Sequence, residues 1–384
     1  MIRTLLLILR KGNKSSQPIV NEFVKELKEP SVTQPSLSKA RRNLKHEAFI
    51  ELNQRAVVEV GYQEPDYQTW HGFRLLAIDG SKIRLPDTPK ITQHFGQIRY
   101  ANQRNEVQGS HTYSPASVLY DLCNHIVLQA TLGEAHAYEV DLAITHHLPH
   151  LSSESLLVAD RADATYLVLS HLILINQPFV IRCGANSFSS VRDMLAGRGA
   201  DDQQVTIPVP RNQVKHINQR KLPKTITLRL VRLPLTTGEY EVLVTSLRDE
   251  TTYPIPLLAE VYHRRWGIET FFSILKTRLQ LENFTGKTLE TVQPDFYSTI
   301  YISGLESILP ADTNQCLAQK PRRHHYQVNK MVSFNAIKDR VLELFSSPSD
   351  IDKLLEELSQ VFLLNPSCSR PHRFVPRKKL SYRP

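Results

Sequence analysis

Four side chains within the segment Tyr262-His-Arg-Arg265-Trp-Gly-Ile-Glu269 and on to Lys276 have the types and spacing to act on a phosphate ester. The segment lacks Pro and reads as one helix. At about 100° per residue, Tyr262, Arg265, Glu269 and Lys276 project at about 0°, 300°, 340° and 320°. One face therefore offers a carboxylate beside an aromatic hydroxyl and two cations. Ile268, Phe272, Leu275 and Leu279 form an adjacent apolar stripe, at about 220–280°, that would seat the helix on a core. Taken alone, Arg265–Glu269 is also an ordinary i, i+4 surface pair. The chemical reading needs carboxylates from elsewhere in the chain.

Two segments supply them. Leu75-Leu-Ala-Ile-Asp79-Gly-Ser is a short apolar run ending in an acid and an expected turn, the pattern of a buried strand delivering Asp79 at its carboxyl end. Leu156-Leu-Val-Ala-Asp160-Arg repeats it. Helix from Ala164 to Leu174 and strand from Phe179 to Arg182 follow, so the alternation predicts a mixed α/β sheet with both acids at related strand ends. Strands within Ser114 to Ala130 and a helix from Ala137 to Leu148 lie between the two acid segments. Asp79, Asp160 and Glu269 are hard oxygen donors of the kind that suits Mg²⁺ or Mn²⁺. Two such ions roughly 3.5–4 Å apart can activate an attacking oxygen and stabilise a leaving one in phosphodiester displacement.

The remaining chain is read as support for this centre. Residues 1–65 are expected to be helical, with helices up to Arg10 and from Asn21 to Leu27. Thr33-Gln-Pro-Ser-Leu-Ser-Lys-Ala-Arg-Arg42 opens a further short helix whose Lys39, Arg41 and Arg42 suit a DNA groove or backbone, or a solvated face in a small bundle. Residues 185–255 break the alternation with antiparallel strands around Val205–Val209, Thr225–Val231 and Tyr240–Thr245. Between Asp202 and Glu239 stand seven Lys or Arg and no acid, a surface for phosphates. Helices are predicted over Glu290–Leu309, Val328–Phe345 and Ile351–Leu364. The last 19 residues, from Pro366, carry six Lys or Arg and no acid, as expected of a basic tail.

Bulk properties narrow the class. A chain of 384 residues can bury a full core, and a net charge of +9 favours a polyanionic partner. The four cysteines are widely spaced and form no C-x-x-C, which argues against a zinc knuckle or disulfide framework and for a reducing cytoplasm. The apolar start, Thr4-Leu-Leu-Leu-Ile-Leu9, is too short for a signal peptide or membrane span and reads as a packed helix. Gly286-Lys-Thr288 lacks the preceding Gly of a phosphate-binding loop. In His146-His-Leu-Pro-His150 the Pro breaks metal-ligand spacing, leaving a solvated turn as the expectation. A glycosidase could use paired acids, but would leave the basic insertion and tail without a purpose.

The spacing Tyr262, Arg265, Glu269, Lys276 resembles the Y-x2-R-x3-E-x6-K signature of DDE transposases in the insertion-sequence-four family. Leu76-Ala-Ile-Asp79-Gly-Ser and Leu157-Val-Ala-Asp160-Arg resemble that family's first and second Asp motifs, over a likeness covering roughly residues 15–380. Arg370-Pro-His-Arg-Phe-Val-Pro-Arg-Lys-Lys is also typical of it. Arg161-Ala162-Asp163 stands where the family commonly has Arg-Gly-aromatic.

The resemblance implies a helical DNA-binding region at 1–65 and an RNase H-like catalytic domain at 66–365. The β-rich insertion at about 185–255 falls within that domain, whose carboxyl end is helical, and the basic tail at 366–384 follows. It implies cut-and-paste transposition: Asp79, Asp160 and Glu269 hold two Mg²⁺ or Mn²⁺ ions, and Tyr262, Arg265 and Lys276 contact DNA phosphates. Double-stranded DNA, as terminal inverted repeats and target, is the implied partner of a homodimer with no membrane attachment, located in a bacterial cytoplasm and nucleoid-associated when bound. The alternative is a remnant that binds element ends as a repressor without cutting. A nuclease or resolvase of the same fold is the third reading.

Overall fold

A computed structural model describes residues 2–10, 20, 21, 24, 25, 33–63, 67–101, 107–134, 137–235, 237–321, 324–346 and 350–369. The chain divides into two compact units, Met1–Gly304 and Leu305–Pro384. The first is built on a nine-stranded sheet. Its strands are β1 (Arg74–Arg84), β2 (Gln97–Ala101), β3 (Val107–Asp121), β4 (Val127–Leu132), β5 (Ser155–Ala159), β6 (Phe179–Cys183), β7 (Asp202–Pro208), β8 (Thr225–Pro234) and β9 (Tyr240–Thr245).

The spatial order is β2-β3-β1-β5-β6-β9-β8-β7, with β4 also on β3. β1, β3 and β4 pair antiparallel, whereas β1, β5 and β6 pair parallel. That half, β4-β3-β1-β5-β6, is an RNase H-like sheet. Its parallel strands are covered on both faces: Leu75 to Ile78, Leu156 to Ala159 and Phe179 to Ile181 are all buried. Burial of both faces is why these strands read as unbroken apolar runs rather than as alternating patterns. Between β5 and β6 runs helix α1 (Tyr166–Leu174), started by Thr165, whose side chain accepts a hydrogen bond from the Val168 N–H.

Asp79 does not end its strand. β1 continues through Asp79-Gly80-Ser81 to Arg84, because β3 is long enough to keep supplying partners, from Asp79 opposite Val118 to Arg84 opposite Tyr113. The parallel ladder with β5 does stop, at Ala77 opposite Val158. Asp79 therefore lies two residues beyond the last β5 pairing, and Asp160 directly follows β5.

β7, β8 and β9 extend the same sheet, with β9 antiparallel to β6 and β8 antiparallel to both β9 and β7. Two of the seven cations expected at the surface here point inward. Arg229 is fully buried, clasps Asp202 and donates to the Leu247 and Tyr253 carbonyls, while Arg232 pairs with Asp201. Arg211, Lys215, Arg220, Lys221 and Lys224, between β7 and β8, are exposed.

The helix Gln34–Arg42 begins as expected at Thr33, whose hydroxyl accepts from the Ser36 N–H. Arg41, however, turns inward to Asp295 at 2.8 Å and Thr285 at 2.6 Å. His147 likewise leaves the solvated turn expected of it and meets the Ser117 hydroxyl at 2.8 Å, fully buried.

In the second unit, β10 (His325–Val328) and β11 (Pro366–Ser369) pair antiparallel. Val328 thus ends a strand before the helix Lys330–Asp339, and the expected tail begins as a strand. Lys330 and Ser333 both bind the buried Glu306 carboxylate, at 2.8 Å each. Residues 12–18, the 22, 23, 26 and 27 positions of the second expected helix, and the basic run 370–384 lie outside the described residues. Among the described residues, no helix is long and apolar enough to cross a membrane.

Candidate active site

Tyr262 and Glu269 belong to two helices rather than one. Helix α2 (Ile255–Arg264) ends and α3 (Trp266–Thr277) begins at Arg265. There the Arg265 N–H bonds the Tyr262 carbonyl and the Ile268 N–H bonds the Arg265 carbonyl, each at 3.0 Å. These i→i−3 bonds tighten the junction into a single turn. Gly267 lets that turn approach β3: a Cβ there would stand 2.9 Å from the Leu122 side chain. The stripe Ile268, Phe272, Leu275 and Leu279 is buried as expected. Phe271 adds a stacked contact with Tyr120 at 4.5 Å between ring centres. Packing on the sheet thus holds the junction over the strand ends.

Arg265 is the hub of the polar cluster. Its side chain is 4% exposed; Nη2 lies 2.7 Å from Glu269 Oε1 and Nη1 lies 3.8 Å from Asp79 Oδ2. Asp160 also acts on it electrostatically. The Tyr262 hydroxyl donates to Asp160 Oδ1 at 3.3 Å, and burial pushes its pKa up so that it stays protonated. All three expected acids therefore meet around one guanidinium and one phenol. Lys276 stands apart from them: Nζ donates to the Lys82 carbonyl at 2.8 Å and lies 3.8 Å from Glu282.

The surroundings are more acidic than the sequence pattern implied. The Asp79 carboxyl is raised to about 6, mainly by burial and in smaller part by Glu269 and Glu139, against the Gly80 N–H bond and Arg265, which lower it. Asp163 is buried and raised to about 7, mainly by desolvation, then by Glu139, Asp79 and Asp160. Glu241, beside Arg182 at 3.0 Å, is raised by burial and by Asp160.

Glu139 and Glu241 went unread because each lies in an unremarkable local pattern. The signal for Glu139 is Gly80. A Cβ at Gly80 would stand 2.9 Å from Glu139 Oε1, so glycine is what lets this carboxylate lie against the strand that carries Asp79. Gly80 is therefore a packing requirement inside an extended strand, not the turn expected from Asp-Gly.

Asp79, Asp160 and Glu269 offer hard oxygens to a divalent ion, and Arg265 already draws two of them together as a cation would. The donor set fits such an ion. Among the described residues, no three His, Cys, Asp or Glu side chains converge closely enough to hold one as they stand.

An RNase H-like sheet with carboxylates gathered beside its first and second central strands places the chain in a class with acidic, oxygen-donor centres. Residues 70–301 match the model of the transposase DDE domain, and the chain belongs to that family. It is 23% identical over 363 residues to the transposase InsG for insertion sequence element IS4 of Escherichia coli, a match covering 91% of this chain and 76% of that protein. It is 34% identical over 74 residues to the putative transposase InsZ of Escherichia coli, covering 19% of this chain and only 24% of that relative. A solved piggyBac transposase synaptic complex with hairpin DNA is similar at a TM-score of 0.45 and 10% identity, over 94% of this chain and 76% of that one.

Proposed function

We propose that this chain is a DNA transposase that moves an insertion sequence by cut-and-paste, hydrolysing phosphodiesters at terminal inverted repeats and then transferring the freed strand ends. The observation that supports this reading above others is the meeting of Asp79, Asp160 and Glu269, from three separate elements, around Arg265. Mg²⁺ or Mn²⁺ held by those three carboxylates would supply Lewis-acid activation of the attacking and leaving oxygens. The chain's own residues do the rest. Tyr262 keeps its proton and orients the Asp160 carboxylate through its hydroxyl. Lys276 uses donors on the Lys82 carbonyl and near Glu282, and an ammonium has three. The remaining N–H is available to a DNA phosphate.

The exposed cations Arg211, Lys215, Arg220, Lys221 and Lys224 supply a backbone-binding surface on the β7–β8 connection. With Arg41 held by Asp295, DNA contact by the amino-terminal region falls to Lys39 and Arg42, both outside that buried pair. Two element ends brought together call for a homodimer on DNA.

The test uses supercoiled plasmid carrying the matching inverted repeats. With Mg²⁺ the wild-type chain should release the element, while Glu269→Gln binds the ends and leaves the plasmid intact. End binding without cleavage by the wild-type chain, unaltered by Asp79→Ala, would establish the repressor reading instead. Cleavage with no joined product would establish a nuclease.

A further inference from the structure

Glu269 Oε1, which accepts a hydrogen bond from Arg265 Nη2 at 2.7 Å, is an oxygen that a metal would also need. Arg265 reaches Asp79 with its other terminal nitrogen at 3.8 Å and feels Asp160. Its position is enclosed: the residue is 3% exposed, with the Tyr262 and Trp266 rings 5.8 and 5.3 Å from Cζ. Nε is buried without a hydrogen-bond partner. The guanidinium is thus bound at its tip to the acids and unsatisfied at its root, an incomplete set of bonds for a buried Arg. A single positive charge sits where divalent cations would be held. The two cannot share the same carboxylate oxygens at such range, since like charges a few ångströms apart repel strongly in a partly buried site.

We propose that Arg265 is an internal counter-ion that holds Glu269 and Asp79 together in the metal-free protein, gives way to a divalent metal, and passes its guanidinium to a DNA phosphate. This rests on the transposase reading above, and adds that the metal and the DNA are coupled through one side chain. A phosphate that draws Arg265 off the acids leaves them free for metal; metal that takes the acids leaves Arg265 free for phosphate. Coupling of this kind is reciprocal, so each ligand tightens the other by the same factor. The metal-free acids are shielded meanwhile, which keeps their mutual repulsion from opening the junction between α2 and α3.

The test measures Mn²⁺ binding to the full chain by the electron paramagnetic resonance of free Mn²⁺, with no nuclease assay involved. Without DNA, Arg265→Gln should bind Mn²⁺ about tenfold more tightly than wild type, because a competing cation is gone. Arg265→Lys, which keeps the charge, should stay near wild type. A duplex oligonucleotide should tighten Mn²⁺ binding several-fold in wild type and leave Arg265→Gln unchanged.

Equal or weaker Mn²⁺ binding by Arg265→Gln overturns the proposal while leaving the transposase reading intact. Failure of wild type to bind Mn²⁺ with DNA, or binding that Asp79→Asn does not weaken, overturns both.

If Arg265→Gln does not fold, wild-type fluorescence decides. Of the two tryptophans, Trp70 is 3% exposed and Trp266 is 47% exposed beside the guanidinium. Mg²⁺ and DNA together should shift the emission of Trp266 in wild type by more than the sum of the shifts that each gives alone. A shift no larger than that sum overturns the proposal.

Discussion

Replacing Asp163 by Asn should stabilise the protein at alkaline pH and do much less at acid pH. Asp163 is 8% exposed and makes no ion pair among the described residues, and its carboxyl is raised from 3.8 to about 7 by burial and by Glu139, Asp79 and Asp160. Between those values the folded chain holds a proton that the unfolded chain has released. Stability therefore falls as pH rises through this window, and the loss is complete above about pH 7. With 3.8 for the unfolded and about 7 for the folded carboxyl, the penalty grows by about 2–3 kcal/mol between pH 5 and pH 8. Asn has nearly the same shape and no proton to lose. Urea unfolding of wild type and Asp163→Asn, without divalent ions, gives the difference at each pH. A difference that is equal at pH 5 and pH 8 would refute the assignment of that strain to Asp163.

Three further outcomes follow from the geometry. On the proposed reading Asp79, raised to about 6, would have to lose its proton to hold metal, so cleavage at subsaturating Mg²⁺ should rise about tenfold per pH unit up to about pH 6 and then level off; a flat profile between pH 5 and 7 contradicts this. Arg229→Met leaves Asp202 and two carbonyls without their buried cation and should cost about 3–5 kcal/mol in urea unfolding. A loss below about 1 kcal/mol would show that the pair is dispensable. Lys221→Ala and Lys224→Ala should each lower the salt slope of DNA binding by about 1 in fluorescence anisotropy, with folding unchanged.

Much of the catalytic half was legible because its physics is local. β5 and α1 announce themselves through an unbroken apolar run and a Thr cap, and Asp160 follows directly. The apolar stripe from Ile268 to Leu279 was equally readable. What escaped depended on partners distant in the chain. Asp79-Gly80 looks like a turn until β3 is laid beside it, residue for residue, up to Arg84. The break at Arg265 leaves helical spacing nearly intact, so periodicity could not reveal it. Arg229 and Arg41 counted as surface cations because their acids, Asp202 and Asp295, stand 27 and 254 residues away. Glu139 declared itself only through the space that Gly80 leaves open.

The continuation of the central sheet into β9, β8 and β7 sets unequal freedom for change along this part of the chain. A residue gained or lost at the start of β8 would turn every later side chain of that strand to the opposite face, taking Arg229 from Asp202 and Arg232 from Asp201 and moving Leu228 and Leu230 out of their packing. The error would reach β9 and, through it, the strand beside β5. The connection between β7 and β8 carries five exposed cations, Arg211, Lys215, Arg220, Lys221 and Lys224. On the proposed reading, descendants of this chain can therefore lengthen, shorten or recharge that stretch to suit new DNA ends while the acids stay where they are. Diversification in this lineage should be recorded as differences in length between β7 and β8, with strands β8 and β9 constant in length.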